Sequence, residues 1–364
     1  MTDPTVVGRH AAPGTPGGRR GGKTTSQGTE ATISGTAQGG DRPPTPTTKS
    51  GTANKAVTRP ADRIFSWLTS GAGVLMVVMI IAIGAFLLAQ AIPALQLNKV
   101  NFLISRVWDT GNPDSLSFGV LDLLAVTVFS SLFALIIAMP ISLGIALFLT
   151  QYAPRRVAGP FAYVIDLLAA VPSIIYGLWG LAVLGPALLP IAEWLNQTLS
   201  FLPIFEVGNV TLQLGGTIFT AGVVLAVMLL PIITGVSREI FSRTPTMHIE
   251  GALALGATKW EVVRTTVWPF GRSGYINASM LGLGRALGET IAVMIILSTT
   301  DKVFGWSLFD GGDTIASKIA RAYSEFNDPR STGAYIAAGL VLFVLTLIVN
   351  SIARAIIAGK KEYE

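Results

Sequence analysis

The chain has 364 residues, 51% hydrophobic and only 13% charged, with a mean hydropathy of +0.58; soluble domains carry about 25% charged residues, so a bilayer is the expected solvent. With no cysteine, a disulfide framework and a thiolate metal site are excluded; two histidines leave little room for a His-ligated centre, and no metal or cofactor is expected. The net charge of +5 does not point to nucleic acid, because residues 1–69 hold nine Lys/Arg against four Asp/Glu and supply all of it.

Residues 1–63 are rich in Gly, Pro, Thr and Ser and lack apolar periodicity. Such a segment cannot bury enough surface to offset the entropy of ordering, so a disordered, basic cytoplasmic tail is expected. Within it, Gly17 to Thr24 match the P-loop pattern G-x-x-x-x-G-K-[ST]. A working phosphate loop joins a buried strand to a helix whose N-terminus meets the phosphate. Here Pro13 and Pro16 precede the match and a Thr/Ser/Gly run follows, so it reads as low complexity. No cleavable signal is expected either, since the first apolar run starts about seventy residues in and is too long for one.

Six hydrophobic spans follow, near residues 70–92, 120–149, 160–190, 216–236, 274–299 and 333–357. Each approaches or exceeds the roughly 20 residues that a helix needs to cross about 30 Å of hydrocarbon. Only helices satisfy their own backbone in lipid, so residues 64–357 are expected to form an all-α polytopic membrane protein of six transmembrane helices. Residues 358–364 are left as a short terminus. Pro140, Pro172 and Pro231 fall inside or at the ends of spans, where neighbouring helices and waters can absorb the lost hydrogen bond.

Orientation follows from Lys and Arg in the short connections. The tail is basic, Arg155 and Arg156 lie between spans two and three, and Arg238, Arg243, Lys259, Arg264 and Arg272 lie between four and five. Arg354, Lys360 and Lys361 fall at the end of span six and beyond it. The opposite connections hold Lys99 and Arg106, then no base from 191 to 215, then five acids against four bases from 301 to 332. Both termini and the loop around Glu250 are therefore expected in the cytoplasm. Trp108, Trp194 and Trp306 near the opposite connections suit an interfacial aromatic belt, with membrane lipid as neighbour.

The loop between spans four and five specifies two short helices and an elbow. Thr244 can cap a helix starting at Pro245, and Gly256 can end it in the left-handed conformation. Thr258-Lys259-Trp260-Glu261 has capping-box spacing for a second helix, which Pro269 is expected to end or kink. By itself this is compatible with an interfacial amphipathic hairpin. The segment also resembles the EAA loop of ABC-importer permeases, E-A-A-x-x-x-G followed nine residues later by I-x-L-P. Glu250, Gly251, Ala252, Gly256, Thr266, Trp268 and Pro269 keep that spacing, with Gly251, Thr266 and Trp268 as departures. The resemblance implies a coupling helix docking into a separate ATPase, with Glu250, Gly251, Ala252 and Gly256 as docking residues.

Span five carries Leu283-Gly284-Arg285-Ala286-Leu287-Gly288-Glu289-Thr290. Counting from Gly274, Arg285 lies roughly 16 Å deep, near the bilayer centre, where a lone guanidinium is expensive. On a continuous helix Glu289 shares its face and can pair with it. Gly282, Gly284 and Gly288 bring another helix or a solute close to the backbone. Two readings are open: an ion pair locking helices, or a cation presented to a passing anion with Glu289 limiting how tightly it is held. Asp166 in span three reads as a snorkelling or packing carboxylate.

This segment, together with Ala169-Ala170-Val171-Pro172-Ser173-Ile174-Ile175-Tyr176-Gly177-Leu178-Trp179-Gly180, resembles the PstC permease family of phosphate ABC importers over residues 64–357. The resemblance implies a type I, MetI-like importer permease with Arg285 and Glu289 on the phosphate pathway. It also implies three partners: a PstB-like ATPase dimer, a PstA-like sister permease and a PstS-like extracytoplasmic phosphate-binding protein. The chain itself is then not an enzyme. A permease for another oxyanion such as molybdate or sulfate, or an ion-coupled secondary transporter, remain the alternatives. No hydrolase constellation is present.

Overall fold

The computed structural model describes residues 60–358, apart from Asp301 and Asn327. The expected tail up to residue 59, with its P-loop look-alike, and residues 359–364 lie outside the described residues. Among the described residues, five helical segments are long and apolar enough to cross a membrane: 63–97, 121–152, 173–199, 218–242 and 329–355. They belong to α1 (Pro60–Leu97), α2 (Leu121–Leu147, continued by a π turn), α4–α5 (Ser173–Trp179 and Gly185–Leu199, joined by a π turn), α6 (Ile218–Ser242) and α12 (Pro329–Ala358).

The expected span at 160–190 divides in two. Residues 155–169 form a separate amphipathic helix, α3 (Arg155–Ala169), and the apolar crossing segment starts only at Ser173. Pro172 explains the division, because it has no amide to donate and its ring disfavours helical backbone at Val171. The hydroxyl of Tyr176 donates to the Leu168 carbonyl (2.9 Å), adding to the backbone bond that carbonyl accepts from Val171 (3.3 Å) and tying α4 to the end of α3. Asp166 on α3 meets Arg238 on α6 (3.5 Å), the packing role expected of it.

The expected span at 274–299 is also discontinuous. It comprises α9 (Trp268–Leu287) and α10 (Ile291–Ile296), separated by Gly288-Glu289-Thr290. α9 packs one face on α2, α6 and α12, while Ser273, Asn277, Leu281 and Arg285 form an exposed stripe along the other. The added Cβ at Gly271 or Gly274 would meet Phe241 (2.3 Å) or Ile240 (2.5 Å), so these glycines allow α9 to approach α6. The Tyr275 hydroxyl donates to the Met139 carbonyl of α2 (2.9 Å), one turn from the Pro140 break in the hydrogen-bond ladder.

α1 is exposed along most of its length, as a lipid-facing helix would be, and buries Ala91 and Ala94 near one end against Phe118, Ala334 and Ala337. The end of the bundle opposite the 243–267 elbow is closed by irregular segments. A two-residue ladder, β1 (Trp108–Asp109) with β2 (Ser117–Phe118), lies there, as does α11 (Ile315–Arg321). Trp194 and Trp306 stay substantially exposed, whereas Trp108 turns inward onto Phe118 and Tyr335. The buried Asp310 carboxylate ties this end together by accepting from the amides of Asn209 (2.8 Å), Gly305 (2.8 Å) and Ser307 (3.1 Å).

Candidate functional site: the elbow and the broken helix

The elbow forms from local chemistry. α7 (Thr246–Ala254) starts one residue later than the expected Pro245, and Thr244 does not cap it; its hydroxyl bonds back to Phe241 at the end of α6 (2.9 Å). The helix ends as Gly256 allows. Gly256 has φ +85°, its amide bonds to the Leu253 carbonyl (2.9 Å), and that of Ala257 bonds to Ala252 (3.1 Å). This is the paired Schellman arrangement.

The expected capping box opens α8 (Lys259–Val262). The Thr258 amide donates to Glu261 Oε2 (2.7 Å) and the Glu261 amide donates to Thr258 Oγ1 (3.3 Å). The Thr258 amide bond, with a second from the Thr258 hydroxyl to the same Oε2 (2.9 Å), holds the exposed Glu261 carboxyl below the ordinary glutamate range. Pro269 does not terminate the second helix as expected. α8 passes through a π turn at Val263–Val267 into α9, and Pro269 lies directly after that turn, where the helical ladder is already irregular.

The four expected docking residues divide by exposure. Ala252 is half-buried and, with Ile249 and Ala257, packs on the main apolar core, fastening the elbow to the bundle. Glu250, Gly251 and Gly256 are exposed, together with Met247, Leu253, Trp260 and Leu255, the last 91% exposed. This apolar set at the tip of an ordered hairpin is left uncovered by the rest of the described chain.

The second site lies where α9 breaks. Arg285 is about 26 Å along the helix from Trp268, because α9 begins earlier than the expected Gly274. The Gly288 and Glu289 amides fold back onto the carbonyls of Arg285 (3.2 Å) and Ala286 (3.3 Å), which tightens and ends α9. Glu289 therefore leaves the face it was expected to share with Arg285. Its carboxylate is buried and accepts from the Ala292 amide (3.3 Å), capping α10. Among the described residues Arg285 is exposed and forms no ion pair, so the expected intrahelical pair with Glu289 is absent. An added Cβ at Gly282 would meet Ile233 of α6 (3.0 Å), while one at Gly284 would meet nothing within 4 Å. The space beside Arg285 is open.

The break also joins the two sequence motifs. A Cβ at Gly177 on α4 would lie 2.9 Å from Ala292 Cα and 3.2 Å from its carbonyl oxygen, so α4 and α10 touch backbone to backbone. Tyr176, the residue before, is close enough to interact electrostatically with Arg285. At its far end α10 is held by Arg321, whose Nη2 donates to the carbonyls of Met294 (2.9 Å) and Leu297 (3.3 Å) while Nε pairs with Asp313 (3.2 Å). Sequence reasoning did not single out Gly177, Asp313 or Arg321; the partners of each are remote in sequence, and no local pattern marks them.

An all-helical membrane bundle, an ordered capped elbow and a broken helix carrying an exposed arginine define the class of importer permeases. The model of the binding-protein-dependent transport system inner membrane component family matches residues 138–361. The phosphate transport system permease protein PstC 2 of Mycobacterium tuberculosis is 59% identical over 302 residues, covering 83% of this chain and 93% of that protein. The PstC proteins of Mycobacterium leprae (56%; 84% and 95% covered) and Xylella fastidiosa strain Temecula1 (41%; 81% and 90% covered) are also similar. The chain belongs to the PstC family of binding-protein-dependent transport permeases.

Proposed function

We propose that this chain is a transmembrane subunit through which inorganic phosphate is imported, driven by ATP hydrolysis on a separate ATPase dimer. The observation that carries the pathway is Arg285: an exposed guanidinium without a carboxylate partner among the described residues, set where the backbone breaks and beside open space. Irregular backbone at membrane depth is tolerated where it lines a cavity or is buried in protein. A planar, permanently charged fork suits a tetrahedral oxyanion. Glu289, drawn onto α10, leaves Arg285 unneutralised and sets the geometry of the break.

Basic residues concentrate around the elbow, which supports a cytoplasmic position for it and for both termini, on the side where ATP is. Glu250, Gly251 and Gly256, with the exposed apolar side chains around them, form the ATPase contact, and Ala252 anchors it to the bundle. ATP-driven closure of the ATPase dimer moves the elbow as a lever, and α8, continuous through its π turn with α9, carries that motion to Arg285. A sister permease completes the pathway opposite Arg285, and an extracytoplasmic phosphate-binding protein delivers the solute.

The test is phosphate uptake by the assembled complex carrying Arg285→Gln. Uptake should be abolished while abundance and ATPase association stay normal. Normal uptake at normal abundance would overturn the pathway assignment. Glu250→Arg should instead lose ATPase association, and retention of a fully coupled complex would remove the elbow from the interface.

A further inference from the structure

A second charged cavity lies at the end of the bundle remote from the elbow. It measures about 370 Å³ and is lined by the start of α2, by Arg106 to Trp108, and by Thr300, Lys302 to Phe304, Gly311 to Asp313 and Lys318. Among the described residues its ionisable lining is Arg106, Asp122, Lys302, Asp313 and Lys318.

Each carboxylate has an arginine beside it, although the buried Asp122 Oδ1 accepts no hydrogen bond. Asp122 faces Arg106 (3.6 Å) and accepts from the Phe304 amide (3.2 Å), and Arg106 donates to the Phe304 carbonyl (3.2 Å). Asp313 pairs with Arg321. What is left over is positive: the ammonium groups of Lys302 and Lys318 have no side-chain partner among the described residues. Two cations facing one cavity repel each other unless an anion lies between them. The indole N–H of Trp108, in the same wall, is buried and has no acceptor, a second sign that the cavity lacks a group its lining is built to meet. The N-terminus of α2, a helix of 27 residues, adds its positive dipole at Gly119 to Leu123.

The cavity is mechanically linked to the break in span five. Asp313 in its wall holds Arg321, which holds the last carbonyls of α10, and α10 extends about 9 Å back to Glu289.

We propose that this cavity is an outer oxyanion site, with Lys302 and Lys318 as its ligands, that receives phosphate before it reaches Arg285. The proposal rests on the orientation and solute given under Proposed function. Phosphate is held there as an ion pair with two flexible ammonium groups, which suits transient capture better than a rigid bidentate clamp.

The test is equilibrium retention of radiolabelled inorganic phosphate by the full permease–ATPase complex. The complex is placed in nanodiscs of zwitterionic lipid at low salt, without binding protein, and carries Arg285→Gln so that the deeper site is silent. This complex should retain phosphate. Adding Lys302→Gln and Lys318→Gln together should weaken retention about tenfold or more, and Lys302→Arg with Lys318→Arg should restore it. Unchanged affinity in the double Gln protein, or no retention before the lysines are changed, would overturn the proposal. So would retention that anionic lipid abolishes, which would assign the cavity to a lipid headgroup. Phosphate uptake by the unmodified complex is measured alongside: if it is intact while retention ignores the lysines, the outer site falls and the transport reading stands.

Discussion

Two glycines five residues apart in the elbow should respond in opposite directions to the same added methyl group. Gly256 has φ +85° and Gly251 lies within α7; a Cβ at either would meet no heavy atom within 4 Å. Steric clash is therefore removed from the comparison, and only backbone conformation remains. At Gly256 an L side chain in left-handed backbone costs about 1–2 kcal/mol, partly offset by about 0.4–1 kcal/mol from a stiffer unfolded chain. The net loss for Gly256→Ala is about 1 kcal/mol, or about fivefold in the equilibrium between closed and frayed elbow. Gly251→Ala, in the helix interior, should gain about 0.5–1 kcal/mol and close the elbow by about two- to fivefold. Amide hydrogen exchange across residues 246–262, read by mass spectrometry on the permease free of its ATPase, measures both. Gly256→Ala should accelerate exchange and loosen coupling between ATP hydrolysis and uptake, whereas Gly251→Ala should slow exchange. Shifts of the same sign in the two proteins, or no shift at Gly256, would refute the capped-elbow reasoning.

Gly177→Ala should impair uptake, since its Cβ would lie 2.9 Å from Ala292 Cα and the obstruction is backbone; overpacking of this kind costs about 1–3 kcal/mol. Gly185→Ala is the control, with its nearest neighbour at 3.4 Å, and should transport normally. Thr258→Ala removes the capping box and should raise exchange at residues 259–262 by about threefold or more. Because Glu261 is held below the ordinary glutamate range, its contribution is complete at neutral pH and is lost only as pH falls through its lowered value. Exchange protection of α8, corrected for intrinsic rates, should therefore be flat through neutrality and decline in acid, and the Glu261→Gln protein should lack that decline.

Much of the elbow was legible because its determinants lie within a few residues of one another. The Thr258–Glu261 box spans three positions and the Gly256 termination reaches back to Ala252, so neither needs the rest of the molecule. Thr244 and Pro269 were misread because both sit where a short element joins a long helix. There the bundle decides which carbonyl a hydroxyl reaches and on which side of a π turn a proline falls.

Span five shows the limit more sharply. Its residues allow one continuous helix with Arg285 above Glu289, and the four-residue spacing invites that pairing. Contacts made elsewhere separate them: α10 is held at one end by Arg321 and along its side by Gly177, and Glu289 is buried at its start.

Hydropathy by itself determined that this is a polytopic helical membrane protein, because in lipid a helix must satisfy its backbone within the segment and the necessary apolar length is written locally. Local capping determined the elbow in the same way. The tertiary structure alone decided that Tyr176 and Arg285 lie within electrostatic reach, that Glu289 leaves Arg285 unpaired, and that α10 is clamped by a residue 24 to 27 positions away. Those outcomes depend on which helix faces protein rather than lipid, and no spacing along the chain encodes that.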